Sequence, residues 1–202
     1  MAEANILPIE LGERFQAAFE LAFQLHRGQK RKGSQVAYIS HLMATAALVI
    51  EMNGSENEAI AALLHDAVED QGGYETLERI RARFGDDVAG MVHECSDAFV
   101  SPKPPWKERK IHYLAHLPEA SAGAQRISLA DKIHNARDLL NTYAPCGEET
   151  WERFRGGREG TLWYYRSLVT TYQGCGGGPW VDELARIVGL LEQFSQLQTG
   201  PA

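Results

Sequence analysis

Apolar residues recur along this chain with a helical period, and stretches that alternate apolar with polar are scarce. Between Leu11 and Leu25 they fall at Phe15, Ala18, Phe19, Ala22, Phe23 and Leu25, which predicts an amphipathic helix that Gly28 ends. The stretch from Lys30 to Ile39 reads as a basic loop turning at Gly33. Ser40 is then the expected cap of a second helix through Met52, with His41 in its first turn. Ser55-Glu56-Asn57-Glu58 has the form of a capping box and opens a third helix, which Gln71-Gly72-Gly73 closes. Helices are expected next from Tyr74 to Phe84, stopping at Gly85, and from a cap at Asp86 or Asp87 to around Ser96 or Asp97. The loop Ser101-Pro102-Lys103-Pro104-Pro105 breaks the pattern, and Pro105 suits the first turn of a helix through Leu117. After a break at Pro118 to Gly123, a long helix from Ala124 to Tyr143 carries Ile127, Ala130, Ile133, Ala136 and Leu140 on one face. Trp151 to Tyr172 reads as one or two helices interrupted near Gly156-Gly157, and Gly174 to Gly178 links them to a last helix from Pro179 to about Leu197. With no repeat, heptad or strand–helix alternation, the expected fold class is an all-α bundle. The expected organisation is a single domain over residues 1–202, with a core over about 11–173 and a C-terminal helix over about 179–197.

Composition narrows the classes. The chain has 202 residues, 44% hydrophobic and 23% charged, enough for one full core and ordinary for a globular protein. No apolar run approaches the roughly 20 residues that span a bilayer, so no membrane partner is expected. Met1-Ala2-Glu3-Ala4-Asn5 is not a secretory start, and Cys95, Cys146 and Cys175 are dispersed with no metal-binding spacing; both point to a reducing, cytoplasmic setting. A net charge of −7 argues against sequence-independent nucleic-acid binding. Against that background His26-Arg27-Gly28-Gln29-Lys30-Arg31-Lys32 is locally basic, the right contrast for a pocket holding a small polyanion.

The candidate chemistry centres on Ala61-Ala62-Leu63-Leu64-His65-Asp66-Ala67-Val68-Glu69-Asp70. An apolar approach delivers an imidazole and a carboxylate side by side, about 100° apart on a helix, so an ion between them needs further ligands from elsewhere. His41 is one candidate. Asp131 is another, since it interrupts an apolar helical run just as Asp66 does, and a buried carboxylate is costly unless paired or bound to a metal. Two imidazoles and two carboxylates suit a borderline or oxygen-preferring divalent ion rather than a thiolate zinc site; manganese fits, and iron, zinc and magnesium stay open. Glu69 and Asp70 follow one turn after Asp66, where a base can meet an activated water. Acids near a helix C-terminus oppose the helix dipole, so their presence there asks for a reason.

His41, His65-Asp66 and Asp131 in this order resemble the signature of HD-domain metal phosphohydrolases. Together with His26 to Lys32, Tyr38-Ile39-Ser40-His41, Phe84-Gly85 and Leu129 to Asp138, they resemble the hydrolase domain of RelA/SpoT enzymes, and more closely the stand-alone small alarmone hydrolases. The resemblance covers roughly residues 15–145. It implies an HD-domain helical bundle, one manganese ion, and hydrolysis of the 3′-pyrophosphate of guanosine tetra- or pentaphosphate; adenosine counterparts stay open. It implies His41, His65, Asp66 and Asp131 as metal ligands, Glu69 and Asp70 as the water-activating pair, and Arg31, Lys32 and Asn135 as substrate contacts. Arg31 suits a purine face and Lys32 a phosphate. The chain departs from the family pattern at Leu42, Gln71 and Asp138. Rival readings are an HD phosphohydrolase of another nucleotide, such as an NADPH phosphatase, and a nucleotide-sensing module. The expected partner is a small nucleotide, and a homo-oligomer is left open.

Overall fold

Ser55 and Glu58 start the helix around which the first part of the molecule is built. In the computed structural model, which describes residues 9–96 and 104–197, the Ser55 hydroxyl accepts from the Glu58 amide at 3.3 Å and the Glu58 carboxylate accepts from the Ser55 amide at 2.5 Å. This reciprocal pair satisfies two of the amides that a helix N-terminus leaves without partners.

Ten α-helices form among the described residues: α1 (Glu13–Leu25), α2 (Ile39–Glu51), α3 (Glu56–Leu64), α4 (Ala67–Asp70), α5 (Gly73–Phe84), α6 (Asp86–Cys95), α7 (Trp106–His116), α8 (Ala122–Cys146), α9 (Gly157–Gly174) and α10 (Pro179–Leu197). Short 3-10 turns cover Leu117–Glu119 and Gly147–Arg153. No strand forms among the described residues, and the all-α expectation holds. None of these helices is long and apolar enough to cross a membrane.

The described residues gather into two compact units. One takes the chain to Arg31, the stretch from Gln35 through α6, and Ser121–Ala130; the other takes Lys32–Ser34, α7 with the turn after it, and the chain from Asp131 onward. In the first, α3 packs against α1, α2 and α6, and all six residues from Ala59 to Leu64 are buried. A helix apolar on every side belongs in the middle of its unit. In the second, α9 packs against α7 and α10, burying Leu162, Tyr164, Tyr165, Leu168 and Tyr172 along one helix.

Several boundaries differ from the sequence expectation for identifiable reasons. The second helix begins at Ile39 with Tyr38 in the capping position, and Ser40 lies inside its first turn, with its hydroxyl donating to the Ala37 carbonyl at 2.8 Å. An antiparallel bridge between Lys30 and Ala37 closes the basic loop just before, with Gly33 turning it at φ +71°. That fixes where the helix can start. Neither Asp86 nor Asp87 caps α6: Gly85 does, at φ +93°, serving both as the end of α5 and as the start of α6. The third helix does not run unbroken to Asp70; it stops at Leu64 and resumes at Ala67. The long helix α8 extends past Tyr143 to Cys146, taking Pro145 into its last turn. On α1 the buried residues are Ala18, Leu21 and Ala22, while Phe23 is 52% exposed. The expected proline loop is described only from Pro104, and residues 101–103, like the alternative helix end at Asp97, lie outside the described residues.

Ile60 on α3 is fully buried. Ile60→Ala is expected to lower the unfolding free energy by about 2–5 kcal/mol through lost burial and a residual cavity. Phe23→Ala should cost well under half of that. Urea denaturation of the two variants checks the contrast.

Candidate metal centre

The break between α3 and α4 is what presents His65 and Asp66. Both residues keep right-handed backbone, with Asp66 at φ −93° and ψ −6°, the bridge region where a chain turns without extending. The His65 ring folds back so that Nδ1 lies 2.8 Å from the Ala62 carbonyl, the acceptor that a continuing helix would give to the Asp66 amide. A carbonyl only accepts, so Nδ1 carries the proton and Nε2 of the neutral ring points its lone pair away from the helix. His41 enters from the first turn of α2, edge-on to the His65 ring at a centroid distance of 5.2 Å. Both histidines are buried, at 1% and 4% exposure, and the Asp66 side chain keeps 22%.

Three donor atoms converge. His41 Nε2 lies 3.4 Å and His65 Nε2 3.2 Å from Asp66 Oδ2, and one ligand atom from each of the three residues falls within 4.8 Å of the others. A neutral imidazole nitrogen facing a carboxylate oxygen at this separation is repulsive unless a cation or a proton lies between them. Donors about 2.0–2.2 Å from a zinc-sized ion stand about 3.0–3.5 Å from one another, so the observed spacing fits a divalent cation. Removal from water pushes the Asp66 carboxyl up, but its charge and hydrogen-bond interactions with His65 and His41 outweigh this and hold it well below the usual carboxylate range. Asp66 is therefore an anion at neutral pH. Tyr38, absent from the expected site, donates its hydroxyl to the same Oδ2 at 2.5 Å and so fixes which way the carboxylate faces.

The other expected site residues are placed as follows. Glu69 and Asp70 lie on α4, one turn beyond Asp66, and the Asp70 amide donates to the Asp66 carbonyl at 3.0 Å. Glu69 is partly buried and Asp70 exposed, with Asp70 Oδ2 accepting from the Gln29 amide at 3.0 Å. The Arg31 guanidinium sits 5.8 Å from the Tyr38 ring centroid, in the first unit. Lys32 belongs to the second unit, its ammonium 5.9 Å from the Phe154 ring centroid. Asp131 also belongs to the second unit, on α8, 6% exposed, and accepts from Lys132 through one oxygen and from Asn135 through the other. Burial lowers the Lys132 ammonium, but Asp131 and the hydroxyls of Tyr113, Tyr164 and Tyr172 outweigh it and hold it well above the usual lysine range. The Asp131–Lys132 pair is thus ionic inside the protein.

The profile of the family described as "HD domain" matches residues 18–161. The chain belongs to the HD-domain family. A curated relative, the guanosine-3′,5′-bis(diphosphate) 3′-pyrophosphohydrolase MESH1 of Xenopus tropicalis, is 37% identical over 141 residues, 68% of this chain and 74% of that protein. The human protein of that name is 35% identical over 149 residues, 72% of this chain and 78% of its own. The Drosophila melanogaster one is 34% identical over 185 residues, 88% and 96% respectively. A solved structure described as a metazoan ortholog of SpoT that hydrolyzes ppGpp superposes with a TM-score of 0.67 at 26% identity, covering 93% of this chain and 97% of that one. Membership of the HD-domain family implies a divalent metal, and His41, His65 and Asp66 are a group that could hold one.

Tyr38 and His26 are parts of this HD site that sequence reasoning passed over as functional residues. His26 is 3% exposed and stacks on the Tyr38 ring at 5.2 Å and 16°, and burial lowers its pKa despite the carboxylates of Asp66 and Asp70. Their only signal was position, three residues before His41 for Tyr38 and the start of the basic segment for His26. Tyr38→Phe removes the hydroxyl that donates to Asp66 Oδ2. Outer hydrogen bonds of this kind are worth about 10- to 100-fold in metal affinity, and a weakening in that range is expected when the metal-stripped variant is titrated with Mn2+.

Proposed function

We propose that this chain is a metal-dependent hydrolase that removes the 3′-pyrophosphate from guanosine 3′,5′-bis(diphosphate) and its pentaphosphate relative, acting also on adenosine counterparts. The observation that carries the reading is the convergence of His41, His65 and Asp66, in a chain whose relatives bear the name of that activity. The whole chain works as one HD phosphohydrolase domain in this reading, supported by a family match that runs through residues of both units. Its setting is cytoplasmic and its partner a small nucleotide.

Asp131 joins His41, His65 and Asp66 as the fourth ligand, an assignment supported by the order and spacing of the four residues in the sequence. The donor set of two imidazoles and two carboxylates favours Mn2+ among the divalent ions. Such an ion, when bound, supplies Lewis acidity: it acidifies water and withdraws charge from phosphoryl oxygens. The chain's own residues do the rest. Tyr38 orients Asp66, and the Ala62 carbonyl fixes the His65 tautomer. Glu69 or Asp70 takes one proton from the water as it attacks the phosphorus next to the 3′ oxygen, and that carboxylic acid returns the proton to the departing 3′ oxygen. The bond from that oxygen to phosphorus breaks, pyrophosphate leaves, and a 5′-diphosphate nucleotide with a 3′ hydroxyl stays behind. Arg31 offers a planar cation to the purine, while Lys32 and Asn135 hold phosphate oxygens.

A product assay tests this. Metal-stripped protein resupplied with Mn2+ is expected to release pyrophosphate from guanosine 3′,5′-bis(diphosphate) and no orthophosphate from NADPH; the reverse pattern assigns a different nucleotide. Asp66→Ala should abolish turnover. Glu69→Gln combined with Asp70→Asn should keep its metal and lose about 10²- to 10⁴-fold in kcat, the usual worth of a general base.

A further inference from the structure

Gln29 donates through Nε2 to Asp70 Oδ2 at 3.0 Å, while its Oε1 accepts from two sides: from Gln71 Nε2 at 2.6 Å and from His26 Nδ1 at 2.7 Å. A glutamine amide has a donor end and an acceptor end of nearly equal shape, and turned around it would set its oxygen against the Asp70 carboxylate. Here the turned form is opposed from two sides. Gln71 Nε2 would face another amide nitrogen unless the Gln71 amide turned as well. His26 Nε2 is buried without a hydrogen-bond partner among the described residues, so the tautomer that satisfies the ring carries its proton on Nδ1, toward Gln29. The His26 ring cannot swing away, because it is 3% exposed and stacked on Tyr38.

The backbone is held as firmly as the side chains. The Gln29 amide donates to the His26 carbonyl at 3.0 Å, and the Gln29 carbonyl accepts from the Tyr38 amide at 2.9 Å, so the turn after α1 and the start of α2 fix the residue from both sides. Gln71 follows α4 directly. Its carbonyl accepts from the Thr76 hydroxyl at 2.6 Å, which ties it to the first turn of α5.

We propose that Gln29 is a positioning residue for Asp70, its amide held donor-outward by His26 and Gln71, so that the Asp70 carboxylate is fixed for proton uptake. This rests on the role given to Asp70 above.

The test reverses one donor. Gln71→Glu replaces the amide nitrogen facing Gln29 with an acceptor and drives the Gln29 amide around; Gln29→Leu removes it; the double variant asks whether both act through the same group. Two readouts are taken, hydrogen exchange on protein loaded with diamagnetic Mg2+, since Mn2+ would broaden resonances near the site, and activity on Mn2+-loaded protein. In 15N-labelled protein the Gln29 side-chain NH2 is expected to exchange slowly with water, and to lose that protection in Gln71→Glu. In the pyrophosphate assay each single variant is expected to lose about 10- to 100-fold in kcat, as for a hydrogen bond to a charged group. KM, bound metal and melting temperature should stay near the wild-type values, and the double variant should be no worse than Gln29→Leu. Unaltered Gln29 exchange in Gln71→Glu overturns the lock whatever the activity. An active wild type with kcat unmoved in Gln29→Leu, or fully additive losses in the double variant, overturns the positioning role. A wild type that releases no pyrophosphate refutes the function proposed above, while the exchange data still decide the lock.

Discussion

Much of this molecule is arranged around one electrostatic problem, two imidazole nitrogens and a carboxylate brought within 4.8 Å of one another at the edge of a hydrophobic core. Nothing in the apolar packing of α3 calls for such a cluster. Its six buried residues from Ala59 to Leu64 would pack as well if the helix simply continued. The helix breaks instead, the His65 ring takes the Ala62 carbonyl, and a lone pair is turned toward Asp66 Oδ2. The arrangement is costly without positive charge at its centre and favourable with it. A divalent cation supplies that charge, and metal affinity follows from the same geometry.

The surroundings supply restraint. Tyr38 faces Asp66 with its hydroxyl and His26 with the flat of its ring, and the Arg31 guanidinium lies 5.8 Å from its ring centroid, so this aromatic ring links the basic segment to the carboxylate. In the second unit the logic is charge balance. Asp131 is buried on α8 beside the Lys132 ammonium, which lies 5.1 Å from the Tyr113 ring centroid. A carboxylate so placed keeps its charge without bulk water.

The helical architecture was legible because period and punctuation agreed. The capping box at Ser55, the stop at Gly85 and the glycine link before Pro179 are local signals with local causes. What could not be read was set by hydrogen bonds that residue type and periodicity do not reveal. Tyr38 rather than Ser40 opens α2 because the Lys30–Ala37 bridge closes the loop ahead of it. The break at His65-Asp66 lies inside a pattern that is periodic throughout, and only the side chain's bond to its own backbone marks it. Among the candidate residues, the His65-Asp66 pair was visible as a polar interruption of an apolar run, and His41 from its place in the first turn of the second helix. His26, Gln29 and Tyr38 were not, since a histidine, a glutamine or a tyrosine beside a basic loop looks like any other until its hydrogen bonds are known.

The central claim is that His41, His65 and Asp66 hold one divalent ion, and calorimetric titration of metal-stripped protein with Mn2+ tests it most directly. The account predicts saturation at one ion per chain in the wild type and loss of that binding in His65→Ala, with the helical fold retained by circular dichroism. A His65→Ala protein that still folds and still binds one Mn2+ with wild-type affinity would contradict it.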